Sequence, residues 1–135
     1  MVVADKLCIS NSGAAQALTT SMADSTDAQT IDCPEGGLAY IGYTASGTAA
    51  TYIGFSLHYS RDGGTTWYRV APVNSVSSGA VSQSSAGVWQ GNGANGNWSV
   101  GPIEVPAACK LKVQALRSGG GADTAALAYL TVYGE

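Results

Sequence analysis

Only one histidine, His58, occurs in the 135 residues of this chain, so any imidazole chemistry must run through it. Ser56 and Ser60 stand two positions to either side, and at strand spacing all three side chains share a face. A serine nucleophile also needs an orienting carboxylate, and that arrangement is defined by geometry rather than by adjacency. No Gly-x-Ser-x-Gly elbow is present to hold a strained nucleophile. His58 is therefore read as a surface or interface histidine. Carboxylates crowd elsewhere, with Asp24, Asp27 and Asp32 inside "ADSTDAQTID". Calcium uses such oxygen-rich loops, but the EF-hand spacing and its closing glutamate are missing. Asx-turns in a solvated loop account for these aspartates.

The glycine-rich "GNGANGN" at 91–97 lacks the Lys-Ser/Thr that would follow in a phosphate loop. Trp89 and Trp98 flank it. They are candidates either to stack on a sugar or to anchor a subunit contact, since tryptophan suits both roles. The contact reading outweighs the sugar reading, because tryptophans at strand positions are mostly packed. "SRDGGTTW", Ser60 to Trp67, encodes a hairpin. Asp62 can accept backbone N–H bonds a few residues on, Gly63 and Gly64 supply positive φ, and Trp67 packs beneath. Ser60, Asp62, Gly64, Thr66 and Trp67 are thus structural turn residues.

Charge is scarce. Nine acidic and six basic residues give a net −3, and charged residues make up 11% of the chain, well below the roughly 25% of an ordinary soluble domain. Ser, Thr, Asn, Gln and Gly must cover the surface, as in chains that pack against neighbours. The six cations are scattered singly, which argues against a phosphate-neutralising nucleic-acid surface. No apolar run approaches the roughly 20 residues of a membrane span. The start "MVVADKLCIS" lacks the basic and apolar regions of a secretory signal, so synthesis in a cytoplasm is expected. Cys8, Cys33 and Cys109 lie far apart without a C-x-x-C pair, so neither a zinc site nor any other cofactor is expected. Their odd number precludes a complete internal disulfide set. They read as small buried hydrophobes, with an intermolecular disulfide after release from the cell as the alternative.

The elements that would hold these residues are strands. In 52–59, Ile53, Phe55, Leu57 and Tyr59 alternate with Tyr52, Gly54, Ser56 and His58, the period of a half-buried strand. "KLKVQAL" sets Leu111, Val113 and Ala115 against Lys110, Lys112 and Gln114. "ALAYLTVYG" sets Ala128, Leu130 and Val132 against Tyr129, Thr131 and Tyr133. Further strands are expected at 38–45, 65–71, 79–90 and 97–105, and weaker ones at 16–21 and 28–33. Turns are expected at 34–37, 45–47, 62–64, 91–96 and 118–123. No helical periodicity runs for three turns. Roughly eight to ten short strands with this punctuation predict one all-β domain over 1–135, an antiparallel, jelly-roll-like β-sandwich. The polar run at 9–37 contains Thr-rich segments around an acidic turn at 23–27. Its weak pattern leaves register loosely specified, which fits residues 1–33 to a docking arm or to edge strands.

Two resemblances follow from these residues. Ser60–Trp67 matches the Asp-box pattern Ser-x-Asp-x-Gly-x-Thr-Trp of sialidases and other β-proteins. That likeness implies the hairpin alone. A sialidase needs several blades and an arginine cluster, whereas this chain has one box with Arg61, Arg69 and Arg117.

The segment "DKLCISNSGAAQALTTSMADSTDAQTID" resembles the N-terminal part of small jelly-roll cement, or decoration, proteins of tailed-phage capsids. The matching residues are Ser12, Gln16, Ala17, Leu18, Thr19, Ser25, Thr26, Ile31 and Asp32. The long Gly/Ser/Asn segment at 74–97 and the Asp-rich turn depart from that pattern. The resemblance implies a non-enzymatic virion protein, oligomeric, bound to the major capsid protein on the outside of the shell. A head–tail or tail module and a carbohydrate-binding module are the alternatives. On the cement reading, residues 9–32 form the docking arm, with Gln16, Leu18, Thr19, Ile31, Trp89 and Trp98 as candidate partner contacts.

Overall fold

Alternation of β-branched or aromatic residues with small polar ones is realised as paired strands almost throughout. The computed structural model describes residues 1–70, 88–120 and 122–134. Among them run eleven strands: β1 (Val2–Ile9), β2 (Gln16–Ala17), β3 (Ala23–Asp24), β4 (Ile31–Cys33), β5 (Gly37–Ser46), β6 (Tyr52–Ser60), β7 (Tyr68–Arg69), β8 (Trp89–Asn92), β9 (Gly96–Val105), β10 (Cys109–Arg117) and β11 (Ala125–Tyr133). All the pairings are antiparallel.

The strands form two sheets. One has the order β1-β11-β5-β9, with β2 also on β11; the other has β3-β10-β6-β7, with β4 also on β10 and β8 on β6. First and last strands pair, and from β5 onward successive long strands cross from one sheet to the other. Grouping β3 with β4 and β7 with β8, and setting aside the two-residue β2, leaves the eight-strand, double Greek-key connectivity of a jelly roll. The expected all-β sandwich is thus the observed fold.

The inward faces meet in one core. Ile41, Ile53, Phe55, Leu57, Ile103, Leu111, Leu130 and Val132 are all fully buried. Tyr43 and Phe55 join the sheets across it, with ring centroids 4.9 Å apart. Two glycines are dictated by close approach. A Cβ on Gly91 would lie 2.2 Å from the Tyr43 hydroxyl, and one on Gly93 would lie 2.3 Å from the Ala50 carbonyl oxygen. The hydroxyl of Tyr43 donates to the Asn92 carbonyl at 2.6 Å, tying β5 to the loop that the sequence marks as glycine-rich.

Several expected strands contract. The segment 16–21 pairs as a strand only at Gln16–Ala17; the Leu18 N–H extends that register to the Thr124 carbonyl at 2.9 Å, and the chain then turns to the other sheet, where the Thr19 carbonyl accepts from the Arg117 N–H at 2.8 Å. Of the segment 65–71, residue 71 lies outside the described residues, and the strand is confined to Tyr68–Arg69 at its start because the N–H groups of Thr65 and Thr66 are taken by Asp62. Of the expected strand at 79–90, residues 79–87 lie outside the described residues; Trp89 and Gln90 open β8.

Candidate functional site

Residues 1–33 are built into the sandwich. β1 is an edge strand paired with β11 from Val2 to Ile9, while β3 and β4 both lie on β10. The polar run between them satisfies its own backbone. The Asp27 carboxylate accepts from the Ser10 hydroxyl and from the N–H groups of Ser12, at 2.7 Å, and Gly13, at 3.2 Å. These bonds hold its pKa below the ordinary value, led by the Ser10 hydroxyl. The buried Ser25 hydroxyl bridges the N–H and C=O of Ser10, each at 3.1 Å. Gln16 accepts from the Thr26 N–H at 2.7 Å and donates to the Asp24 carbonyl at 3.3 Å. Ser, Thr and Asp serve here as internal hydrogen-bond partners for irregular backbone.

This corrects the docking-arm expectation. Gln16, Leu18 and Ile31 are buried, so they cannot reach a partner without unfolding the sheets they serve. Trp89 is likewise 7% exposed and belongs to the core, which removes it as a stacking platform. Thr19 and Trp98 remain exposed. The indole N–H of Trp98 donates to the Ala94 carbonyl at 2.9 Å.

The Asp-box forms the expected hairpin. Asp62 Oδ1 accepts from the Ser60 hydroxyl at 2.7 Å and from the N–H groups of Thr65 and Thr66 at 3.1 and 2.8 Å. Gly63 and Gly64 have φ of 77° and 101°. The indole N–H of Trp67 donates back to the Gly64 carbonyl at 3.0 Å. The bond from Thr66, with the others, lowers the Asp62 pKa to about 2.

Beside this hairpin, the outer face of the second sheet is a closed polar network. Ser56 Oγ lies 2.8 Å from His58 Nε2. Gln114 donates to Asp24 at 2.9 Å, and Lys112 pairs with Asp24 at 3.3 Å and stands 4.8 Å over the Trp67 ring. His58 is 8% exposed, which corrects the surface alternative of its surface-or-interface reading. Burial, then the nearby cations Arg69 and Lys112, push its pKa down to about 4. Ser56 is completely buried in the middle of a regular strand, opposite Gln114. A serine so placed is closed to substrate, and the pair is a structural hydrogen bond.

The three aspartates of the N-terminal run diverge: Asp24 to Gln114 and Lys112, Asp27 to the 10–13 turn, and Asp32 to Lys110 at 2.7 Å. Among the described residues, no group of three His, Cys, Asp or Glu could hold a metal.

The outer face of the first sheet has the opposite character. β5 and β11 carry no charged residue. Their outward side chains include Leu38, Tyr40 and Thr44, and Leu127, Tyr129, Thr131 and Tyr133. Tyr129 and Tyr133 are 47% and 44% exposed. Tyr40 and Tyr133 meet edge to face with centroids 5.7 Å apart. Gly42 lies between Tyr129 of β11 and Ser99 of β9, and a Cβ added there would meet nothing within 4 Å. An open slot results, floored by glycine and walled by tyrosines. Leu38, Tyr40, Ser99, Thr131 and Tyr133 line one depression over it. Thr44, Asn97, Trp98 and Tyr129 border a second, adjoining one. Charge returns only toward the rim, where Asp5 accepts from Thr131 at 3.1 Å and Glu104 stands opposite Leu38.

Alternation had placed Tyr129, Thr131 and Tyr133 together on one face of β11. Their union with Tyr40 and Gly42 required the β11–β5 register, which no single strand encodes. No family model, no curated protein and no solved structure matches this chain.

Proposed function

We propose that this chain is a capsid cement protein, which binds the outside of an assembled phage shell and stabilises it through the aromatic face of the β1-β11-β5-β9 sheet. The observation that carries this reading is that face: uncharged over its two central strands, lined by tyrosines, and split by the Gly42 slot. Aromatic residues with few charges are the composition of the buried centre of a protein–protein contact, with a polar rim around it. The acidic rim residues Asp5 and Glu104 would be met by basic groups on the partner. A shell offers many identical sites, so modest contacts at each add up to a mechanical clamp through mass action. The partner contact thus moves from the N-terminal arm to the sheet, with Trp98 at its border. The protein acts without catalysis, as a homo-oligomer on the virion surface after synthesis in the host cytoplasm.

The test is cosedimentation with purified shells, together with the copy number in virions by quantitative mass spectrometry. Hundreds of copies per particle, with binding lost in Gly42→Thr and Tyr129→Ala proteins that melt normally, fit the cement reading. A dozen or fewer copies point to a head–tail or tail module using the same face. Retained shell binding by both variants refutes this face as the contact.

A second reading rests on Trp98 and Tyr129 around a depression that also offers Thr44 and Asn97. Aromatic faces beside neutral hydrogen-bonding groups suit a saccharide. Glycan binding that Tyr129→Ala abolishes, in a chain absent from particles, would favour it.

A further inference from the structure

We propose that Cys33 and Cys109 are an oxidisable pair that closes an intramolecular disulfide between β4 and β10. The two residues are directly opposite in the antiparallel ladder. The Ala108 N–H donates to the Pro34 carbonyl at 3.2 Å, which makes 34/108 the hydrogen-bonded position and 33/109 the adjacent non-hydrogen-bonded one. At such positions Cα atoms approach to about 4.5 Å with side chains close together, inside the roughly 4.4–6.8 Å span that a disulfide bridges. Both side chains point into the same end of the core, and each thiol bears on the ionisation of the other. As thiols, Cys33 donates to the Glu35 carbonyl at 2.9 Å and Cys109 to the Pro106 carbonyl at 3.2 Å.

A shallow surface depression lined by Pro34, Arg61, Ala108 and Lys110 reaches both cysteines. Cys109, at 8% exposure against 1% for Cys33, is the sulfur an oxidant meets first. Cys8 is buried at 1% in β1 and has no place in the pair.

The oxidant is a low-molecular-weight disulfide. The Cys109 thiolate attacks it, forming a mixed disulfide and releasing one small thiolate. The Cys33 thiolate then attacks the Cys109 sulfur, closing the protein disulfide and releasing the second. Two protein thiols are oxidised, one small disulfide is reduced to two thiols, and the two protons leave with those thiols or with solvent. Burial raises the pKa of both cysteines, Cys109 to about 11, so closure accelerates as pH rises from 7 toward 9. In a reducing compartment the pair stays open. Once closed, the bond ties the end of the N-terminal third covalently to a central strand.

The experiment uses the full chain, reduced and then incubated with oxidised glutathione at about pH 8.5. The product is unfolded, alkylated with iodoacetamide and weighed. The expected product takes one alkyl group, at Cys8, and digestion yields a peptide joining Cys33 to Cys109. Its thermal midpoint rises by roughly 5 °C or more over the reduced form. Cys8→Ser keeps the link, while Cys33→Ser stops at a glutathione adduct on Cys109. Three alkylated cysteines, a stable glutathione adduct on the unmutated chain, or a link to Cys8 or between chains would each overturn the proposal. The count on the unmutated chain decides the matter even where a variant fails to fold.

Discussion

Lowering the pH from 8 to 5 should destabilise this protein through one side chain. His58 is 8% exposed, bonded to Ser56 at 2.8 Å, and faced by Arg69 on β7, Lys112 and Gln114 on β10, and Asp24 on β3. Burial and the two cations outweigh Asp24 and Gln114 and lower its pKa from 6.5 to about 4. Below pH 6.5 the unfolded chain takes a proton that the folded chain refuses, so stability falls with pH until the folded value is passed. The drop from 6.5 to about 4 sets a ceiling of about 3.4 kcal/mol. By pH 5 the linkage expression gives about 2 kcal/mol, and solvent at the ring edge trims this toward 1. Asp24, Asp27, Asp32 and Asp62 all have lowered values. Their contributions are present above about pH 4 and fade below it, so the two windows separate. Urea unfolding followed by tryptophan fluorescence at pH 8, 6 and 5 should show the loss in the wild type and not in His58→Gln. Because His58 is the only histidine, its ring proton gives one NMR resonance to titrate. A titration midpoint at or above 6.5, or an equal pH dependence in His58→Gln, would refute the reasoning.

Three further outcomes follow from the packing. Leu130→Ala empties a fully buried position at the centre of β11 and should cost 2–5 kcal/mol in denaturant unfolding, about the usual range for such a cavity. Asp62→Ala removes the acceptor of three hydrogen bonds; the midpoint should fall while shell binding per folded molecule stays constant, as measured by melting and cosedimentation. Deleting residues 1–9 strips β1 from β11 and removes the buried Cys8 and Ile9. Cooperative melting should then be lost, in contrast to the folded remainder that a free arm would leave.

The long strands were legible because each buries one face and period two records it. β10 and β11 show the burial alternation that their sequences carry. β6 was legible as a strand but not as one covered on both faces. Ser56 and His58 read as solvent-facing, yet both are buried, and an added Cβ on the third outer residue, Gly54, would meet Val88 at 2.8 Å and Leu116 at 3.2 Å. That cover comes from residues distant in sequence, which no local period reports. β1 escaped notice because register shifts between Val2 and Ala4 and between Leu7 and Ile9 break its alternation. Cys8, Ile9 and Ser10 are consequently buried in succession. β3, at two residues, is too short to hold a period at all, and β2 is the two-residue remnant of the weak strand expected at 16–21. The jelly-roll expectation survived these misses because the order of the long strands does not depend on them.

The candidate site was legible only as unassembled parts. Aromatic side chains were visible along β5 and β11, but attention to tryptophans singled out Trp89, which the core consumes, over Tyr129. Register makes the difference. Pairing Gly42 with Tyr129 and Ser99 puts a residue without a side chain between a ring and a hydroxyl. A threonine there should fill the slot at little cost to folding, since a Cβ meets nothing and β-branched residues suit strands. The polar face of the second sheet shows the contrast. Asp24, Lys112, Gln114, Ser56 and His58 engage one another, and docking a partner there would require breaking those bonds. The aromatic face offers a partner apolar surface with no internal charge pair to break. Among the described residues, surface of that kind, rather than the hydrogen-bonded N-terminal run, is what a neighbouring subunit could cover at a net gain.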